Sequence, residues 1–160
     1  VELFAALARW EALGSRGLAL EIYGAWSTEL KELKTELIEL GVRVHDEFMG
    51  PSQLLSLLSR DAVFLLPYRE ASQSGASHSL LNHGRYFICS DVGDLGSFMR
   101  ASGLDGLLLR DRSAEAVLEC FDYLLKHEET VRCGFQRAQQ RFRWEALVPE
   151  MSSIYSPQSS

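Results

Sequence analysis

The stretch AVFLLPYREASQSGASHSLLNHGRYFICSDVG, Ala62 to Gly93, contains two short apolar runs separated by one helical segment. AVFLLP, Ala62 to Pro67, is the most apolar run in the chain, and its composition predicts a buried strand at the centre of a sheet. The next segment, from about Ser74 to His83, has helical spacing and stops at Gly84. YFICS, Tyr86 to Ser90, then reads as a second strand that ends in a Ser-Asp-Val-Gly turn. Neither run alternates polar with apolar residues. Strands of that kind, separated by a helix, belong to parallel sheets covered on both faces.

The same alternation extends in both directions. Upstream, Leu3, Phe4, Leu7, Trp10 and Leu13 lie on one face of a helix ending near Gly14. LALEIY, Leu18 to Tyr23, predicts a buried strand, and Leu30, Leu33, Leu37 and Leu40 form the apolar stripe of a helix with Ser27 or Thr28 as cap and Gly41 as stop. VRVHDEF, Val42 to Phe48, predicts a strand, and Gly50-Pro51 opens a helix through Ser59. Downstream come a short helix over LGSFMRAS, a strand over Gly106 to Leu109, and a helix from the Ser113 cap to about His127. Helical pattern continues through EETVRCGFQRAQQRF and WEALVPEM, and a polar tail follows. These patterns give one α/β domain over residues 1–151 and a tail over 152–160. A helix comes first, so the strand that a right-handed crossover would place before it is expected to lie upstream of Val1.

Composition narrows the function. The chain has 160 residues, 46% of them apolar, enough for a real core. Its formal net charge is -6 with the basic residues scattered, which argues against nucleic acid as partner. Cys89, Cys120 and Cys133 are odd in number and widely spaced, the pattern of idle thiols in a reducing compartment rather than of a metal or redox site. No apolar run reaches the roughly 20 residues of a membrane-spanning helix, so the chain is expected to be cytoplasmic, or peripheral to a membrane as part of a larger parent.

In an open parallel sheet, ligands bind beyond the carboxyl ends of the strands. The segments to read there are Gly24-Ala25-Trp26, Phe48-Met49-Gly50, Tyr68 to Gly75, and Ser90-Asp91-Val92-Gly93. Ser74 and Gly75 open a helix, where free backbone N–H groups and a partial positive charge suit a phosphate. A plain cap by Ser72 or Ser74 accounts for the same residues. Asp91, at a strand end, suits sugar hydroxyls, although a turn also explains Asp and Gly. Arg69 offers a charge to a phosphate or a partner to Glu70. His78 and His83 are five residues apart and do not form the i, i+4 metal pair. Neither a hydrolytic triad nor a Walker or dinucleotide fingerprint is expected, nor any cofactor or metal.

The order of LLPYR, QSG, HGRYFICSDVG and FRWE resembles the C-terminal, donor-binding lobe of the two-lobed (GT-B) retaining glycosyltransferases of family four, across nearly the whole chain. The resemblance implies a Rossmann-like three-layer sandwich with a parallel sheet lacking its first strand. It implies a nucleotide-diphosphate sugar as ligand, in polysaccharide or glycoconjugate synthesis. Ser74 and Gly75 would cradle the diphosphate, Phe48 and Met49 would lie beside the nucleobase, and Gly24 would approach the nucleotide. Arg69, Glu70, Ser90, Asp91 and Gly93 complete the expected donor contacts. The pattern departs from the family at Ala71 and Ser79, where many members carry glutamates, with Glu70 one residue from the first position. The acceptor lobe and a basic pair on the first strand are expected upstream of Val1, so the chain alone is expected to be inactive. Two other readings stand beside this one: a non-catalytic interaction module on a degenerate glycosyltransferase fold, and a receiver or flavodoxin-like signalling domain.

Overall fold

The computed structural model describes residues 2–8, 17–70 and 75–141. The predicted first-helix positions Trp10 and Leu13, the turn from Ala71 to Ser74, the FRWE match, WEALVPEM and the tail over 152–160 lie outside these residues. The chain is an α/β protein of Rossmann-like type, with parallel strands flanked by helices. It divides into two compact units: Val1–Arg60 with Arg112–Val117, and Asp61–Asp111 with Leu118–Ser160.

The first unit contains α1 (Glu2–Ala8), β1 (Glu21–Tyr23), a 3-10 turn (Thr28–Leu30) leading into α2 (Lys31–Glu39), β2 (Arg43–His45) and α3 (Pro51–Leu58). β1 and β2 pair in parallel, with Glu21 opposite Arg43, Ile22 opposite Val44 and Tyr23 opposite His45. This register sorts the side chains by face. Ile22 and Val44 pack with Phe4, Leu20, Trp26 and Leu33 around the buried Leu37 and Val42. Glu21, Tyr23, Arg43 and His45 fall on the opposite face, because successive strand residues point opposite ways. LALEIY is therefore a half-buried strand with a polar face, not the buried strand its apolar content predicts.

β2 also stops earlier than VRVHDEF predicts. Asp46 leaves the ladder: its Oδ1 accepts the Trp26 N–H at 2.9 Å and its Oδ2 accepts from Lys34 at 2.5 Å. The Lys34 ammonium, then the Trp26 amide, hold its carboxyl below the usual carboxylate range. α3 opens as predicted, with Pro51 in its first turn and the Gly50 N–H donating to Gln53 Oε1 at 2.8 Å. Ser113 Oγ accepts the Ala116 N–H at 3.1 Å, the cap expected for the helix that follows.

The second unit holds β3 (Phe64–Leu66), α4 (Gly75–Asn82), β4 (Phe87–Ser90), α5 (Gly93–Ala101), a 3-10 turn (Asp105–Leu107) and β5 (Leu108–Leu109). Also in it are α6 (Ala114–Lys126) from Leu118 onward and α7 (Glu128–Arg141). The ladder is parallel in the order β3-β4-β5. Apolarity thus misplaces the central strand, which is β4 and not the AVFLLP run. All four β4 residues are buried, so both of its faces are covered. Coverage from both sides comes from tertiary packing, which the hydropathy of a single run does not register.

The Phe135 ring from α7 meets Phe87 edge-on, with centroids 5.2 Å apart, and stacks on Tyr86 at 5.1 Å. From α6, the Cys120 thiol donates weakly to the Leu108 carbonyl at 3.5 Å. Arg137 and Arg141 of α7 reach the Ser102 and Ala101 carbonyls at 2.9 and 3.4 Å, satisfying acceptors that the end of α5 leaves open.

Candidate functional site

In the second unit the ends of two neighbouring strands face one way. Leu66 of β3 is in register with Cys89 of β4, and the next helix in the chain starts at Gly75 (α4) after β3 and at Gly93 (α5) after β4. Arg69 and Glu70 are exposed in the turn after β3. Gly75 is exposed, and a Cβ there would meet nothing within 4 Å among the described residues. Ser74 lies outside the described residues. Gly93 has φ +50, a left-handed conformation that favours glycine at the start of α5.

Ser90 is only 5% exposed, and its Oγ has no hydrogen-bond partner among the described residues. A buried hydroxyl without a partner has a desolvation cost. Asp91 comes next. Its Oδ2 accepts from Arg100 in the last turn of α5, and a Cβ added at Gly96 would collide with its other oxygen. Glycine within a helix costs about 1 kcal/mol relative to alanine. That cost at Gly96 makes room for the carboxylate.

Sequence reading missed Arg100 and Gly96. They sit nine and five positions after Asp91, and nothing local signals that a helix would bring them back over the turn.

In the first unit, Gly24 follows β1 at φ +144, and its N–H donates to the His45 carbonyl at 3.1 Å. Phe48 is 89% exposed and Met49 half-buried, so Phe48 presents an uncovered aromatic ring. Ser79, where the sequence resemblance implies a glutamate in many members, donates its hydroxyl to the Gly75 carbonyl at 3.0 Å, and its own carbonyl lies 2.8 Å from His83 Nδ1.

The polar face of β1 and β2 is the other unforeseen cluster. Arg60 donates Nη1 to Glu21 Oε2 at 2.6 Å and Nη2 to Oε1 at 2.7 Å, while Arg43 lies 2.6 Å from Oε1. Tyr23 donates its hydroxyl to Glu21 at 2.6 Å and accepts from Arg60 at 2.8 Å, and its ring stacks on His45 with centroids 4.2 Å apart. The Arg60 guanidinium first, and the Tyr23 hydroxyl second, lower the Glu21 carboxyl from 4.5 to about 2 against the opposing effect of burial. Burial, then the adjacent Glu21, raises the Tyr23 hydroxyl. The sequence signal was the Glu inside LALEIY. Glu21 is enclosed by its own donors, so the cluster is a clasp between β1 and Arg60, two positions beyond α3.

Cys89 and Cys120 are inert. Burial pushes their thiols up to about 12 and about 11. No helix among the described residues is long and apolar enough to cross a membrane. No protein-family model matches the chain, and no curated protein matches it either.

Proposed function

We propose that the chain is the donor-binding lobe of a retaining glycosyltransferase and holds a nucleotide-diphosphate sugar at the carboxyl ends of its parallel strands. The observation that carries this reading is the pair of exposed helix starts, Gly75 and Gly93, behind the adjacent strands β3 and β4. Two such N-termini offer backbone N–H groups and partial positive charge to a diphosphate, and Arg69 adds an exposed cation. Asp91 accepts hydroxyls.

This assignment is a binding function. Transfer requires an acceptor and a second lobe that closes over both substrates, since positioning and charge stabilisation lower most of the barrier. A cytoplasmic setting belongs to the same proposal. The engaged Ser79 hydroxyl, in place of a family carboxylate, favours a second reading, a non-catalytic interaction module on the same fold.

Calorimetric titration with UDP-glucose, GDP-mannose and ADP-glucose separates the two. The donor reading expects saturable binding of at least one, weakened by Ser74→Pro and by Gly75→Val. Heats at the dilution baseline for all three would overturn the donor reading and favour the interaction module.

A further inference from the structure

Within that donor reading, on which this inference rests, the Asp91 turn poses an electrostatic problem. A carboxylate beside a diphosphate repels it, yet Asp91 follows the central strand directly, where the ligand is expected. Arg100 resolves the conflict. Its guanidinium reaches back along α5 to Asp91 Oδ2, and Gly96 leaves its side uncovered so that the carboxylate and the arginine lie flat against the helix. The pair is half-exposed, at 41% for Asp91 and 50% for Arg100, and exposed ion pairs add little to stability. Glycine at a buried helix position works against stability as well. Folding alone therefore gives a poor account of the arrangement. The neighbouring Ser90 hydroxyl, buried without a hydrogen-bond partner among the described residues, is a second polar group at the same strand end whose bonding the fold leaves incomplete.

We propose that Arg100 is a positioning residue of the donor site: it cancels the Asp91 charge and fixes the carboxylate over Gly96, so that Asp91 accepts ligand hydroxyls without repelling the diphosphate. A carboxylate has about four acceptor positions, and the Arg100 bond uses one, which leaves capacity for vicinal hydroxyls. The ligand class this selects is a polyol joined to a phosphate, in which hydroxyls meet Asp91 and the anion meets main-chain N–H groups.

The test is calorimetry of the full chain with whichever of UDP-glucose, GDP-mannose or ADP-glucose binds, and with its parent nucleoside diphosphate. Arg100→Ala is expected to weaken both on the order of tenfold, the scale of a lost charge-assisted contact. The deficit should shrink at high salt, where repulsion from the bare Asp91 is screened. Arg100→Lys should restore part of the affinity, and Asp91→Asn combined with Arg100→Ala should recover most of the diphosphate affinity. A purely structural role would give no salt dependence and no rescue by Asp91→Asn, and thermal melts of each variant identify it directly. Wild-type affinity in Arg100→Ala, or a double variant no better than the single, overturns the role of Arg100 and leaves the donor reading intact. Absence of binding by the wild-type chain overturns both.

Discussion

Glu21 and Arg60, 39 positions apart, meet in a two-pronged ion pair with N–O separations of 2.6 and 2.7 Å. The pair ties the middle of β1 to the chain just beyond α3, and Arg60 is the last residue of the first unit before Asp61. A two-stranded sheet is marginal by itself, so a bond joining strand and helix end matters more here than a typical surface pair.

Glu21→Gln keeps the size of the side chain and removes its charge. The lowered carboxyl corresponds to about 3 kcal/mol at most. Solvent screening through the half-exposed arginines reduces the expected loss to about 1 to 2 kcal/mol. Urea unfolding monitored by tryptophan fluorescence should show that loss, and Arg60→Gln in the Glu21→Gln background should cost less than it does alone.

Acid should reveal the same group. Its folded pKa, about 2, lies below the 4.5 of the unfolded chain, so the unfolded state binds the proton first as pH falls. The Glu21 contribution is fully present above 4.5 and is lost as pH falls from there through about 2. Melting temperatures across that window should drop more steeply for wild type than for Glu21→Gln. Parallel curves would remove Glu21 from the account.

Thiol chemistry should distinguish the three cysteines. Cys89 and Cys120 are buried with raised thiols, whereas Cys133 is half-buried near Glu129. An aromatic disulfide reagent at pH 8 is expected to react promptly with one thiol in the native chain and with three after denaturation. Prompt reaction of Cys89 would mean that β4 is not covered on both faces.

The packing of α7 predicts a steric effect. A Cβ at Gly134 would stand 2.5 Å from Leu104 Cδ2 and 3.1 Å from the Ser102 carbonyl. Gly134→Ala should destabilise the chain by about 1 to 3 kcal/mol, because overpacking outweighs the helix-propensity gain of about 1 kcal/mol. Denaturant midpoints at constant slope would measure it.

Element type was readable in the sequence because period and punctuation are local. Gly41, Gly84 and Pro51 mark helix ends where they were expected, and Leu33 and Leu37 of the predicted stripe pack in the core while Leu40 at its end is exposed. Strand order was not readable. AVFLLP exceeds FICS in apolarity, yet β4 is central, since position depends on which strands pair on either side and which helices cover the faces. The candidate turns at Gly75 and Gly93 follow from local rules for helix starts. Arg100, Gly96 and the Glu21 clasp depend on register and helix reach, which connect residues that share no local pattern.

The donor claim is tested most directly by amide chemical shifts of the isotope-labelled chain titrated with the nucleoside diphosphates of uridine, guanosine and adenosine. Saturable movement of the Gly75, Ala76, Gly93 and Asp94 amides with at least one of them is predicted. Unmoved amides at both helix starts, with all three at millimolar concentration, would contradict it.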